Sequence, residues 1–425
     1  MMVKMTSFGE VRMFKKLGKK LLGTNDNIKY YAINGILFTI VSVLSRSYAI
    51  KFLDRLGGNA FHFSLFNALP GFVAIFTTLP GMLMIQRAKS KRKMLSIFFY
   101  ISRFFPLLLA AVPFLPKAVQ PAVFVVIYGL MNFPESISAT SLQDYSGDVF
   151  TPSERADAIT LRNQLSQMSQ ITVSILVGFV LSLSTDNAAV IRLYQVFILM
   201  SFFVGLKEIG YIRKMRPAVQ IELPQEKHET KILASIRECF FDKEYVRFLT
   251  ASLIFHFGWQ MGWPLFNLYT ISYLNANEMW LTIINVVSSL VMVISFNFWR
   301  RLIKKRSFAL AISFATLGMS LTPVLYALSR TLFQNTLMQL ATGFFTAGTI
   351  TVILGSLLES SPAKNRTISI ALHATLTSVT LAISPLIGNA IHSRYSIQVA
   401  LLVTAGFRLL GFLAFIVRYL TRKKN

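Results

Sequence analysis

Glu135 is the side chain with the most chemistry to offer, because it stands midway along an apolar run near residues 122–145, directly after Pro134. Asn132, Glu135, Ala139 and Gln143 recur at helical spacing and share one face. An ionisable group in an apolar helix costs at least ~2.5 kcal/mol at the centre of a bilayer, so such groups mark function by default. A carboxylate there serves as a proton-coupling group or a substrate anchor. It also serves as the fixed partner of a buried cation, and Arg46 and Arg103 are the two available in neighbouring apolar runs. Arg46 itself either meets an anionic group, pairs with Glu135, or snorkels to an interface. Arg103 reads as structural.

A second constellation lies further along. His256, Gln260, Trp263 and Asn267 fall on one helical face, with Trp259 beside them. A polar and aromatic stripe of this kind binds a partly apolar solute, and histidine titrates near neutral pH. The same stripe also serves as hydrogen-bonding glue between helices, worth ~0.6 kcal/mol per contact in a membrane. His373, Thr377, Thr380 and Ser384 form a comparable face, as do Arg162, Ser166, Gln170 and Ser174. Asn34 and Asn285 add amides in other apolar runs. Asp148 with Arg155, and Glu359 with Arg366, are charge pairs at the starts of two such runs, and with Arg162 they are candidate gate residues; anchoring at a membrane surface explains them equally well.

Hydrolytic and cofactor chemistry finds no support. The chain has no His-Glu-x-x-His motif, no Gly-x-Ser-x-Gly elbow and no carboxylate pair within one helix. The phosphate-cradling Gly-x-x-x-x-Gly-Lys-Ser/Thr pattern is missing as well. Cys239 is the one cysteine, which excludes a disulfide framework or a cysteine metal site. No metal and no cofactor is expected.

The elements that must position these residues are hydrophobic helices. Of the 425 residues 54% are hydrophobic and only 14% charged, with a mean hydropathy of +0.55; a soluble domain carries roughly 25% charged residues. About twelve apolar runs follow one another, near 28–53, 61–85, 94–115, 122–145, 159–183, 193–212, 248–274, 279–299, 308–328, 332–358, 368–391 and 397–417. The net charge of +25 does not mark a nucleic-acid binder, because the basic residues sit in short clusters between apolar runs. Arg87, Lys89, Lys91, Arg92 and Lys93 follow the second run; Arg300, Arg301, Lys304, Lys305 and Arg306 follow the eighth. Every second loop is basic. With an even helix number that pattern places both termini in the cytoplasm, in a multi-pass protein of the cell membrane, inner or plasma. Val11, Phe14, Leu17, Leu21 and Leu22 alternate with lysines at helical spacing, which predicts an N-terminal segment lying on the anionic inner leaflet rather than a cleaved signal peptide.

The halves repeat at an offset of roughly 210 residues. Pro152, Arg155 and Gly178 in the fifth run match Pro362, Arg366 and Gly388 in the eleventh. Residues 1–27 read as a basic N-terminal segment, 28–212 as one six-helix bundle and 213–247 as a cytoplasmic linker. A second bundle spans 248–417, and a basic tail 418–425 closes the chain. In the linker Ile232, Leu233, Ile236, Cys239 and Phe240 share a face, predicting an interfacial helix. This layout resembles the major facilitator superfamily over nearly the whole chain. The loop after the eighth run, Trp299-Arg300-Arg301-Leu302-Ile303-Lys304-Lys305-Arg306, resembles that family's Trp-Gly-Arg-Leu-x-Asp-Arg pattern without its Asp. After the second run Gly81 is kept, but Ile85 and Gln86 stand where the family has Asp and Arg, and Ala88 replaces a Gly.

The resemblance implies an all-α membrane protein of two pseudo-symmetric six-helix bundles. It also implies a secondary active transporter, acting as a monomer by alternating access on a small-molecule substrate, with a proton as the expected coupling ion and membrane lipid as its surroundings. A non-transporting membrane sensor or scaffold is the alternative; within transporters, a multidrug-type effluxer competes with a nutrient importer.

Overall fold

The computed structural model describes residues 26–86, 88, 90–150, 152–216, 232–362 and 365–424. The predicted N-terminal amphipathic segment lies outside them. Twelve long helices dominate, joined in the middle by one short helix.

In the first half α1 spans Asp26–Arg55, α2 Ala60–Gln86, α3 Lys91–Ala111, α4 Gln120–Val149, α5 Pro152–Ser182 and α6 Asn187–Lys214. The short α7 covers Ile232–Phe241. In the second half α8 spans Lys243–Leu268, α9 Glu278–Lys305, α10 Phe308–Leu328, α11 Leu332–Ser360, α12 Arg366–Arg394 and α13 Ile397–Lys424. The helices outrun the apolar stretches because polar caps start them early. The Asp186 carboxylate accepts from Ala188 and Ala189 N–H at the start of α6, and Asp242 from Tyr245 N–H at the start of α8. Pro152 opens α5, where its missing N–H costs nothing. The basic cluster Arg300–Lys305 is the last turn of α9 rather than a loop, and its cations suit a helix C-terminus.

Eleven of these helices are long and apolar enough to cross a membrane. The exception is α8, whose middle carries Ser252, His256, Trp259, Gln260 and Trp263. It nonetheless packs as a full member of its bundle, against α12 and α13. Polarity on a helix with so many packed neighbours faces protein, not lipid.

Packing reveals the symmetry. In the first half the contacts close an arc in the order α2–α4–α3–α6–α1–α5. In the second half the order is α9–α11–α10–α13–α8–α12. Each helix thereby has a counterpart, α1 with α8 and α4 with α11 among them. The arcs meet where α2 packs on α12 and α5 on α9. The interior enclosed by α1, α4, α8 and α11 is therefore central.

The linker joins α6 to α8, so those helix ends define a linker face and an opposite far face. At the far face one apolar core spans both halves: Tyr48, Phe52 and Phe66 pack with Leu265, Tyr269 and Leu401. Towards the linker face the cores are separate. One holds Ile28, Leu95, Tyr145 and Ile212, and another Tyr245, Phe248, Trp299 and Leu357. The linker helix α7 does not lie with its whole apolar face outward. Cys239 is fully buried beside Ser369, at 3.3 Å, whereas Phe240 and Phe241 are exposed. Asn365 Nδ2 donates to Glu238 at 2.7 Å, fixing α7 to the start of α12.

Candidate functional site

Both leading helices carry a π-turn before their far-face ends, Val43–Ser47 in α1 and Tyr269–Tyr273 after α8. A π-turn inserts a residue and re-aims the side chains around it, often at functional positions. In α1 the re-aimed residue is Arg46. Its guanidinium pairs with the Glu135 carboxylate of α4. The carboxylate side chain is 9% exposed and the guanidinium 24%. The two residues singled out first in the sequence thus meet across the inside of the first bundle.

A second buried pair lies deeper in the same bundle. Arg103 of α3 donates Nε and Nη2 to Glu208 Oε2 of α6 at 3.0 and 2.6 Å. Asn34 Nδ2 of α1 donates to the other oxygen at 3.4 Å. Arg103 also lies over the Phe99 and Phe38 rings, at 5.4 and 5.7 Å. Three helices are tied by one carboxylate, and Asn34 belongs to this tie. Glu208 passes unnoticed in the sequence because Lys207 precedes it and a basic segment follows closely, so it reads as an interfacial charge.

In α8 the stripe is only partly free. Gln260 Nε2 donates to the Thr377 carbonyl of α12 at 3.2 Å, and its Oε1 accepts from Thr380 at 2.6 Å. His373 Nε2 of α12 lies 2.8 Å from Ser252 Oγ, and His256 Nδ1 2.8 Å from the Ser252 carbonyl. His256, Gln260 and His373 therefore knit α8 to α12. Trp259 and Trp263 remain half-buried, and with the buried His256 they form a ladder with centroids 5.5 and 6.2 Å apart. Asn267 is half-buried, and Asn285 on α9 is exposed. Behind the ladder stands Arg408 of α13, fully buried, donating to the carbonyls of Gly258, Met319 and Trp259 at 3.1, 2.9 and 3.1 Å. Its signal, a lone cation amid the last apolar run, is plain in the sequence.

A polar tie joins the bundles at the far face. Arg55 donates Nε and Nη2 to the two oxygens of Glu278 at 2.5 and 2.9 Å. Tyr194 donates to the same carboxylate at 3.2 Å, and Arg55 Nη1 reaches Asn187 Oδ1 at 3.0 Å. Tyr48 Oη donates to the Ser174 carbonyl at 2.8 Å and lies 2.7 Å from Thr282 Oγ1. Of the gate candidates near the linker face, Arg162 is half-buried and Glu359 exposed, while the side chains of Asp148, Arg155 and Arg366 lie outside the described residues.

Known proteins fit this picture. No curated protein sequence matches the chain. Among solved structures the chain is similar to the nucleoside transporter NupG, at 13% identity and a TM-score of 0.69, covering 93% of this chain and 99% of that one. It is also similar to a bacterial homologue of the human lysosomal transporter Spinster, at 9% identity and a TM-score of 0.69, covering 92% and 96%. A POT family transporter in complex with 5-aminolevulinic acid gives 11% identity and a TM-score of 0.68, covering 93% and 96%. At such identities the likeness carries the fold. The sequence model of the Major Facilitator Superfamily matches residues 30–338, which is most of the chain, and with two packed six-helix bundles, eleven of whose helices are long and apolar enough to cross a membrane, the protein belongs to that superfamily of transporters.

Proposed function

We propose that the protein is a proton-coupled secondary transporter that moves a small solute by alternating access. The observation that carries this reading is the Arg46–Glu135 pair, which bridges α1 and α4 inside the bundle instead of stapling the protein to a membrane surface. A buried pair of this kind is held by mutual neutralisation, and losing either charge strands the other. Protonation of Glu135 therefore releases Arg46 for another anion. Deprotonation recaptures it and expels whatever had bound. The half-buried Trp259 and Trp263 on the opposite bundle offer an apolar wall to the rest of the cargo.

The far-face contacts support a state closed on that side. Arg55–Glu278 and Tyr48–Thr282 join the bundles there, and the shared apolar core lies at the same end. Lys91, Arg92, Lys93, Arg213, Lys214 and Arg216 gather at the linker face, which supports a cytoplasmic location for that face. The cargo site then communicates with the cytoplasm in this state, and rocking of the bundles exposes it to the other side.

The test begins with a thermal-shift screen over nucleosides, peptides, sugars, amino acids, organic anions and drugs. Transport of each hit is then measured in proteoliposomes with and without a pH gradient. Glu135→Gln should retain binding and exchange while losing gradient-driven accumulation. Undiminished accumulation by that variant refutes proton coupling at Glu135, and a hit that binds but never crosses refutes transport.

A further inference from the structure

We propose that Arg162 and Ser166 of α5 form an oxyanion subsite, so that the transported solute carries a carboxylate or phosphate group; this rests on the transport reading above. Arg162 lies about 15 Å along α5 from Pro152, on the linker side of the Arg46–Glu135 pair. Its guanidinium carbon lies over the Tyr31 ring at 5.0 Å and the Phe38 ring at 6.0 Å. Such cation–π contacts supply no conventional hydrogen-bond acceptor, so the N–H donors still need one.

That edge has no protein acceptor. Arg162 Nε is buried without a hydrogen-bond partner, and so is Ser166 Oγ one turn further on. Both press against bare backbone at Gly35 of α1, where a Cβ would stand 2.5 Å from Arg162 Cγ and 2.8 Å from Ser166 Oγ. Two adjacent unsatisfied donors in a polar interior are a specific cost, since buried donors are almost always paired. An oxyanion, which accepts from both and fits the guanidinium fork, removes it.

Among the described residues the other buried cations have partners, Arg418 with Glu244 included. Arg46 has Glu135, Arg103 has Glu208, and Arg408 has three carbonyls. Glu208 lies within electrostatic reach of Arg162, but its oxygens already accept from Arg103 and Asn34. Among the described side chains inside the first bundle, Arg46, Arg103 and Arg162 therefore face Glu135 and Glu208 alone. One positive charge is left over, and it sits at Arg162. That excess attracts anionic cargo and repels cations.

The experiment needs no knowledge of the cargo. Ser166→Cys is made in the Cys239→Ser background, which removes the one native thiol; Cys239 is fully buried, so retaining it is the fallback should that background not fold. Labelling rates are compared for two methanethiosulfonates of similar size, the anionic sulfonatoethyl and the cationic trimethylammonioethyl reagents, each referred to its rate with free 2-mercaptoethanol. The expected result is a preference for the anionic reagent of about tenfold, which disappears with Arg162→Gln and survives Arg162→Lys. Benzoate should slow the labelling and benzamide should not. An equal preference with and without Arg162→Gln overturns the proposal. So does a thiol that labels only after unfolding, because the position is then not reached from water. A protein that shows the preference but moves no solute leaves the subsite standing and refutes the transport reading instead.

Discussion

Substituting Glu278→Gln should release the far face. Glu278 is the hub of the inter-bundle contact there, accepting two N–H bonds from Arg55 at 2.5 and 2.9 Å and one from Tyr194 at 3.2 Å. Its side chain is 2% exposed, that of Arg55 17%. Breaking a fully buried pair costs about 3–5 kcal/mol, whereas an exposed pair contributes about 0–1 kcal/mol. The burial of the carboxylate and the partial exposure of the guanidinium place this contact between those limits, at about 2 kcal/mol. Arg55 and Glu278 sit on different bundles, so the contact exists only while the far face is closed. Its loss shifts the open-to-closed ratio by about thirtyfold. Spin labels at Lys117→Cys and Arg330→Cys, both exposed at the far face, would report that ratio as a second, longer distance. The charge swap Arg55→Glu with Glu278→Arg should recover part of the closed population. A distance distribution unmoved by Glu278→Gln, in protein that still elutes as one folded species, would falsify the latch.

Glu208→Gln should lower the melting temperature sharply, by the equivalent of about 3–5 kcal/mol, since it strands the buried Arg103 guanidinium; pairing it with Arg103→Gln should recover a measurable part, which a double-mutant cycle in detergent would read. Arg408→Lys should also destabilise, by about 1–3 kcal/mol, because one ammonium cannot reproduce the fork that holds carbonyls on α8 and α10; unchanged melting would contradict the bracing role. Anionic phosphatidylglycerol should raise the melting temperature more than phosphatidylcholine does, since Arg92, Lys93 and Arg213 with Ser96 and Tyr100 line a cavity of about 440 Å³ on the linker face; the difference should shrink with Lys93→Gln and Arg213→Gln together.

The parts of the fold that were legible in the sequence are those fixed by one dominant energy. Burial of backbone in lipid leaves helices as the outcome, so a run such as Phe308–Leu328 is readable to the residue. The charges were less legible, because a single sequence shows that a charge is expensive without showing what answers it. Glu135 stands out in mid-helix, with Arg46 and Arg103 as the two candidate partners, yet the π-turn around Arg46 has no periodic signature. Arg55 and Glu278 carry no signal in the sequence, since each lies at a helix end where charged residues are ordinary; only the approach of α1 to α9 makes them a bond. The aromatic and histidine stripe of α8 suits either a binding face or inter-helix glue by sequence, and packing divides it: Gln260 satisfies α12, whereas Trp259 and Trp263 stay half-buried. The physical criterion that separates cargo contacts from glue is hence satisfaction rather than polarity. A buried group whose hydrogen bonds are complete holds the fold, and a group left one partner short is where a ligand gains binding energy. By that criterion Arg162 and Ser166 of the first bundle are the groups on which the proposed anion subsite rests.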